Sequence, residues 1–363
     1  MKALEQDIQA ILNQAVAEDL ERGLQVAVYH RGALVANCVA GTMDAAGVMR
    51  VDETTLFPVF STTKGMTATL LHLLVERGQI AYETPIAEVW PEFAAYGKGS
   101  ITLRHALNHT SGIPLVPQGI GHAELCDWNT ICAAVAGLKP ISPGGEEDVY
   151  HAITYGWILG EVARRVDGRS FGDLLRDEIS APLDLTEEMF VGIPDDAEPR
   201  VAVLEAKVDE KELERIRADH SPQAIPALVQ PLHAWMNRAD ARRACVPASN
   251  GIMTAHAVAR HYASLLPGGV DGIESLPPAR VVLATEPQRP RSLKPGDPPP
   301  GRRLGYGMVD AFSSTAFGHG GYGGSLGFAD PASELAFGFA RNRFETEVVL
   351  PRILEAVRQA VRA

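Results

Sequence analysis

Residues 57 to 80 read FPVFSTTKGMTATLLHLLVERGQI and set Ser61 three positions ahead of Lys64, where an apolar helix should begin. Positions i and i+3 share one face of a helix, so the hydroxyl and the amine can meet there. A serine hydroxyl is a poor nucleophile at neutral pH, and a lysine whose charged form is disfavoured by burial or by neighbouring cations can take its proton. The first turn of a helix adds free backbone N–H groups and partial positive charge, which suit an oxyanion forming at an attacked carbonyl. The competing reading is a serine helix cap followed by a solvent-facing lysine. Against it stand the apolar lead-in of Phe57, Val59 and Phe60 and the Gly65-Met66 that follows, which indicate a buried setting.

Such a site needs a second proton-transfer group and a backbone edge to complete the oxyanion pocket. Tyr150 follows the loop ISPGGEED and precedes the apolar HAITYGWILGEVARRV. Near a cation its phenol would gain acidity and could shuttle protons between Ser61, Lys64 and a leaving group; otherwise it is an ordinary aromatic at a helix start. FGHGGYGG, residues 317 to 324, offers His319 and closely spaced glycines that let a substrate or another backbone approach a strand edge.

Two other patterns compete for attention. Gly323-Gly324-Ser325-Leu326-Gly327 matches a Gly-x-Ser-x-Gly nucleophile elbow, but that turn must lead from strand into helix, and here FADPASELAFGFARN continues as a turn and another strand. His105 and His109 lie four apart, a spacing able to hold zinc, yet the glutamate of His-Glu-x-x-His is missing. They read as hydrogen-bonded structural histidines, and no metal is expected.

The elements that must position these residues follow from periodicity. Apolar positions at helical spacing predict a helix over 3–20, and GLQVAVYHRGALVANCVAG predicts a hairpin turning at Arg31 and Gly32. Helices are expected over 62–77, 103–108, 129–138, 151–166 and 171–179, then 256–266, with an amphipathic one closing the chain from 350. Strand patterns return in TAFGHGG, GSLGFADP and ELAFGFARNR. The economical arrangement is α+β: strands of residues 1–60 and 245–363 in one antiparallel sheet flanked by the terminal helices, with a mostly helical domain, 61–183, inserted. Residues 184–244 read as an insertion or cap, whose charged stretch 208–220 suggests a solvated helix. The proline-rich run 286–303 reads as an exposed loop.

Composition narrows the function. The 363 residues carry 33 lysines and arginines against 45 acids, a formal charge of −12, with no basic block to track a phosphate backbone, so a nucleic-acid partner is not expected. No run of about 18 apolar residues and no secretory apolar core appear, which predicts a cytoplasmic protein without a membrane partner. Four scattered cysteines read as reduced and structural. The sequence leaves the oligomeric state open.

Taken together, Ser61-Thr62-Thr63-Lys64, TLRHALNHTSGIP (residues 102 to 114), Tyr150 before YGWILGEVARRVDG, PASNGIMTAHAVARHYASL (residues 247 to 265) and His319-Gly320-Gly321 resemble the serine β-lactamase and penicillin-binding protein superfamily, class C β-lactamases and family VIII carboxylesterases above all. The resemblance implies the β-lactamase/transpeptidase-like fold and catalysis by Ser61, Lys64 and Tyr150 without a cofactor. It also implies an oxyanion hole from the backbone N–H groups of Ser61 and Tyr322, and substrate contacts at His319, Gly320 and Gly321. Where the family commonly has Tyr-x-Asn this chain has Tyr150-His151-Ala152, and His319 stands where many β-lactamases place a lysine. The lost amide and an only fractionally charged imidazole point to a small ester as substrate, in preference to a β-lactam or a peptide. A β-lactamase or D-alanyl peptidase, and a non-catalytic binding module, are the alternatives.

Overall fold

The computed structural model describes residues 2–362 except 208, 220, 222, 299, 300 and 345–347. The chain opens with a helix, Lys2–Ala17, whose Leu4, Ile8, Leu12 and Ala15 form one buried stripe at the spacing of a helix laid on a core. β1 (Gly23–His30) and β2 (Ala33–Gly41) follow as a hairpin turning through Arg31 and Gly32, both at positive φ. Next come three short strands, β3 (Phe57–Phe60), β4 (Met189–Val191) and β5 (Gly251–Met253). Late in the chain lie β6 (Gly307–Met308), β7 (Phe317–Gly320), β8 (Leu326–Asp330) and β9 (Leu335–Arg341).

Six strands make one antiparallel sheet in the order β2-β1-β9-β8-β7-β6, so strands from the two ends of the chain lie side by side. Val26 of β1 faces Cys38 across one edge and Phe339 across the other. Alternation along β1 serves both faces. Val26 and Val28 belong to a core shared with Ile8 and Leu12 of the opening helix and with Ile353 and Val357 of the closing helix, Val349–Arg362, while Ala27 and Tyr29 face the larger core. The helix Ala255–Ala263 covers that second face so closely that a Cβ on Gly338 would stand 2.1 Å from the Ala255 carbonyl oxygen. The fold is thus α+β, of the β-lactamase/transpeptidase-like type.

Between the strands, helices form over Thr63–Glu76, Leu103–Leu107, Trp128–Ala136, Thr154–Asp167 and Phe171–Leu175, the last passing into a π turn, Arg176–Ser180. Two differences from the sequence reading bear on the site. Residues 151 to 153 are not helical, because their backbone has tertiary partners instead: the His151 N–H donates to His109 Nδ1 at 3.1 Å, and the Ala152 carbonyl accepts from Lys64. A second antiparallel sheet, β3-β5-β4, is also absent from that reading. Strands of three or four residues are too short to show a period.

The charged stretch holds an exposed helix, Glu210–Ala218, with the Asp209 carboxylate accepting from the Lys211 and Glu212 N–H groups; its ends, 208 and 220, lie outside the described residues. The proline-rich run is largely exposed from 291 to 298, but its last residue, Arg303, is buried, as is Leu304 after it; its residues 299 and 300 lie outside the described residues.

Candidate active site

β3 ends at Phe60, whose φ of 47° is unusual for a bulky residue. Such a backbone persists only where its surroundings fix it, and here they do. Thr63 Oγ1 donates to the Phe60 carbonyl and accepts from the Gly251 N–H at 2.9 Å, while Ser325 Oγ donates to the Val59 carbonyl at 2.7 Å. The chain then turns through Ser61 and Thr62 into the helix Thr63–Glu76. Ser61 therefore sits in the turn ahead of the helix, its carbonyl accepting from the Lys64 N–H at 3.0 Å.

Lys64 is fully buried. Its Nζ lies 3.1 Å from Ser61 Oγ and 2.8 Å from each of the Ala152 and Ala248 carbonyl oxygens. Burial, and after it the charge of Arg302, holds the amine well below the ordinary lysine value. A neutral amine has two N–H donors and one lone pair. Two carbonyls can take the two donors, which leaves the lone pair for the serine hydroxyl. The carbonyl of Ala248 is brought in by close backbone packing: a Cβ on Gly156 would stand 2.2 Å from the Ala248 nitrogen. Gly65 is likewise required, since a Cβ there would meet Tyr262 Oη at 2.2 Å.

Tyr150 Oη donates to Ser61 Oγ at 3.0 Å. Its ring lies against His109 at 4.9 Å between centroids and stacks on His319 at 6.1 Å. The expectation of a more acidic phenol is corrected here: burial outweighs the Ser61 hydrogen bond and Arg302, and the phenol is pushed upward instead. The neighbouring histidines are neutral, chiefly because they are desolvated: His109 is held well below its ordinary value, His151 is lowered to about 4 and His319 to about 3. The expectation of a fractionally charged His319 is corrected accordingly. His151 is turned away from the cleft, its Nε2 accepting from the Ile113 N–H at 3.1 Å and lying 2.8 Å from Ser111 Oγ.

A cavity of about 280 Å³ opens at Ser61, lined by Tyr150, Gly320 and Tyr322 and by the apolar Phe60, Ala152, Ile153, Ile225, Leu232 and Trp235. Ser249 completes the wall. His319 and Gly321 are not in this lining. Gly321 backs onto β3, where a Cβ would stand 2.1 Å from the Val59 carbonyl oxygen. Ser325, the rival nucleophile, is buried, bonded to Val59, with its Oγ 3.1 Å from Thr62 Oγ1. His105 and His109 take separate backbone donors, Thr102 N–H and His151 N–H, on their Nδ1 atoms. Sequence reasoning missed Ile225, Leu232 and Trp235, since short apolar runs inside a charged segment carry no period, and it missed Arg302, whose guanidinium carbon stands 5.0 Å from the Tyr150 ring centre.

A serine, a buried lysine and a tyrosine gathered where a helix leaves a mixed α+β core are groups that can carry out nucleophilic hydrolysis. The sequence matches the Beta-lactamase family model over residues 9–362, and the chain belongs to that family. It is 34% identical over 345 residues to Esterase/beta-lactamase LipL of Mycobacterium tuberculosis (strain ATCC 25618 / H37Rv), covering 90% of this chain and 79% of that protein. A family VIII carboxylesterase structure is similar with a TM-score of 0.84 at 29% identity, over 98% of this chain and 97% of that one. A penicillin-binding protein homologue from Caulobacter crescentus is similar with a TM-score of 0.81 at 31% identity, over 99% and 97%.

Proposed function

We propose that this protein hydrolyses carboxylic esters through an acyl-enzyme on Ser61. The observation that carries the reading is the chain of contacts from Tyr150 Oη to Ser61 Oγ to Lys64 Nζ, at 3.0 and 3.1 Å, with the amine buried between two carbonyls. In this reading Lys64 takes the Ser61 proton as the hydroxyl oxygen attacks the ester carbonyl carbon. Backbone N–H groups of Ser61 and Tyr322, both at the cavity, receive the oxyanion. As the tetrahedral intermediate collapses, the C–O bond to the alcohol breaks and Tyr150, whose phenol keeps its proton, protonates the departing alkoxide; Lys64 returns the proton to Tyr150. Water then repeats the attack on the acyl-enzyme and releases the acid.

The substrate is a small ester with an apolar arm, since no charged side chain is among the described residues lining the cavity. Ala152 at the wall offers no side-chain amide, and a neutral His319 offers no cation to a substrate carboxylate, which disfavours β-lactams. A panel of p-nitrophenyl acyl esters run beside nitrocefin tests this. Ester turnover with an initial burst, lost by on the order of 10⁴-fold or more in Ser61→Ala, is expected. Nitrocefin turnover equal to that of the best ester would move the reading to a β-lactamase.

A further inference from the structure

Arg302 belongs to no motif, yet its position is well fixed. Its carbonyl accepts from the Gln288 N–H at 3.1 Å, and it pairs with Gly307 in an isolated bridge. Its Nε donates to Asp148 Oδ1 at 3.0 Å, two residues before Tyr150. Alongside, the Arg291 and Ser292 N–H groups donate to the Gly145 and Glu146 carbonyls, both at 2.9 Å. The proline-rich run is thus docked along the segment that carries the phenol. The guanidinium carbon lies 5.0 Å from the Tyr150 ring centre and Lys64 Nζ lies 4.9 Å from the same centre, so the two cationic groups are no more than about 10 Å apart.

We propose that Arg302 is a positioning residue for the reaction: held by Asp148 against the Tyr150 ring, it aims the phenol at Ser61 and sets a second positive charge near Lys64. The inference rests on the reading of Ser61 as nucleophile and Lys64 as its base. An ammonium at Lys64 would stand within about 10 Å of a second cation beside the same aromatic ring, whereas a neutral amine adds no charge there. The other titratable groups packed on the cluster bring no competing charge. Desolvation chiefly holds His109, His151 and His319 below the ordinary histidine range and Tyr155 above the ordinary tyrosine value, so they stay neutral. Asp148 supplies the carboxylate that faces Arg302, and with the pair partly exposed, at 31% and 18%, water screens both. Arg302 stands second to burial among the causes that depress the Lys64 amine.

The test is kcat/KM against pH for the wild type, Arg302→Gln and Arg302→Lys, with the rate of fluorophosphonate labelling at Ser61 followed over the same pH range as a readout independent of the ester. Losing the charge stabilises the Lys64 ammonium, so the acidic limb in Arg302→Gln moves to higher pH. The shift is at most about one unit, the size of an unpaired unit charge acting over roughly 10 Å at an effective dielectric near 20, because Asp148 and water reduce the field of Arg302. Arg302→Lys keeps the limb in place. A uniform fall in kcat/KM at every pH with the limb unmoved, or the same shift in both variants, would overturn the proposal. Normal ester turnover by Ser61→Ala would instead remove the reading on which it stands.

Discussion

A lysine amine enclosed by protein and close to the charge of Arg302 is held well below its ordinary value, and in the proposed reaction that displacement lets it take the Ser61 proton. Burial displaces Tyr150 the other way, and on the proposed reading Lys64 serves as base and Tyr150 as acid. Tyr150→Phe keeps the ring between His109 and Arg302 and removes only the hydroxyl. Its kcat should fall by roughly 10²- to 10⁴-fold with the melting temperature little changed, as measured by ester kinetics beside thermal unfolding. The linkage to stability has a definite sign. A lysine with its folded value lowered binds protons more readily when unfolded, so its contribution to stability is full above the ordinary lysine value of 10.5 and is lost as pH falls toward the folded value. That Ser61, Lys64 and Tyr150 come together was legible from their residue types taken with the family resemblance. The direction of the Tyr150 shift was not, because burial is set by the rest of the fold.

The large sheet and its flanking helices could be read from periodicity, since strands such as β1, at eight residues, and β9, at seven, and helices such as Thr63–Glu76 span enough chain to show one. The small sheet that aims Phe60 and Ser61 could not be read, because its strands are defined by distant partners: Phe57 of β3 and Met189 of β4 both pair with Met253 of β5. The same holds for the tie behind the 320–324 turn. Arg341, the last residue of β9, donates from Nε to the Gly323 carbonyl at 2.6 Å and from Nη1 to Glu21 Oε1 at 2.8 Å, with the paired side chains only 6% and 0% exposed. Glu21→Ala removes the carboxylate from this buried pair. The expected cost is about 3–5 kcal/mol of stability, read from urea unfolding, with a fall in kcat as the turn bearing Tyr322 loosens.

Across the whole molecule, five separated regions meet at one cavity: the serine turn, the tyrosine segment, the 184–244 segment that supplies Ile225, Leu232 and Trp235 to the wall, the stretch at Ser249, and the turn bearing Gly320 and Tyr322. The acidic composition and scattered cysteines excluded function classes without indicating this convergence. Trp235→Ala should enlarge the cavity and shift the ratio of kcat/KM for long over short acyl esters upward by roughly tenfold, a change expected from one or two methylenes gaining or losing a hydrophobic contact. An unchanged ratio in that variant would mean that the substrate's apolar arm lies elsewhere. The most direct check on the account is to quench the reaction with a slowly deacylating p-nitrophenyl ester and locate the acyl group by mass spectrometry of the digested protein. The account predicts one acyl group, on Ser61, absent from Ser61→Ala; an acyl group on Ser325, or full turnover with none on Ser61, would contradict it.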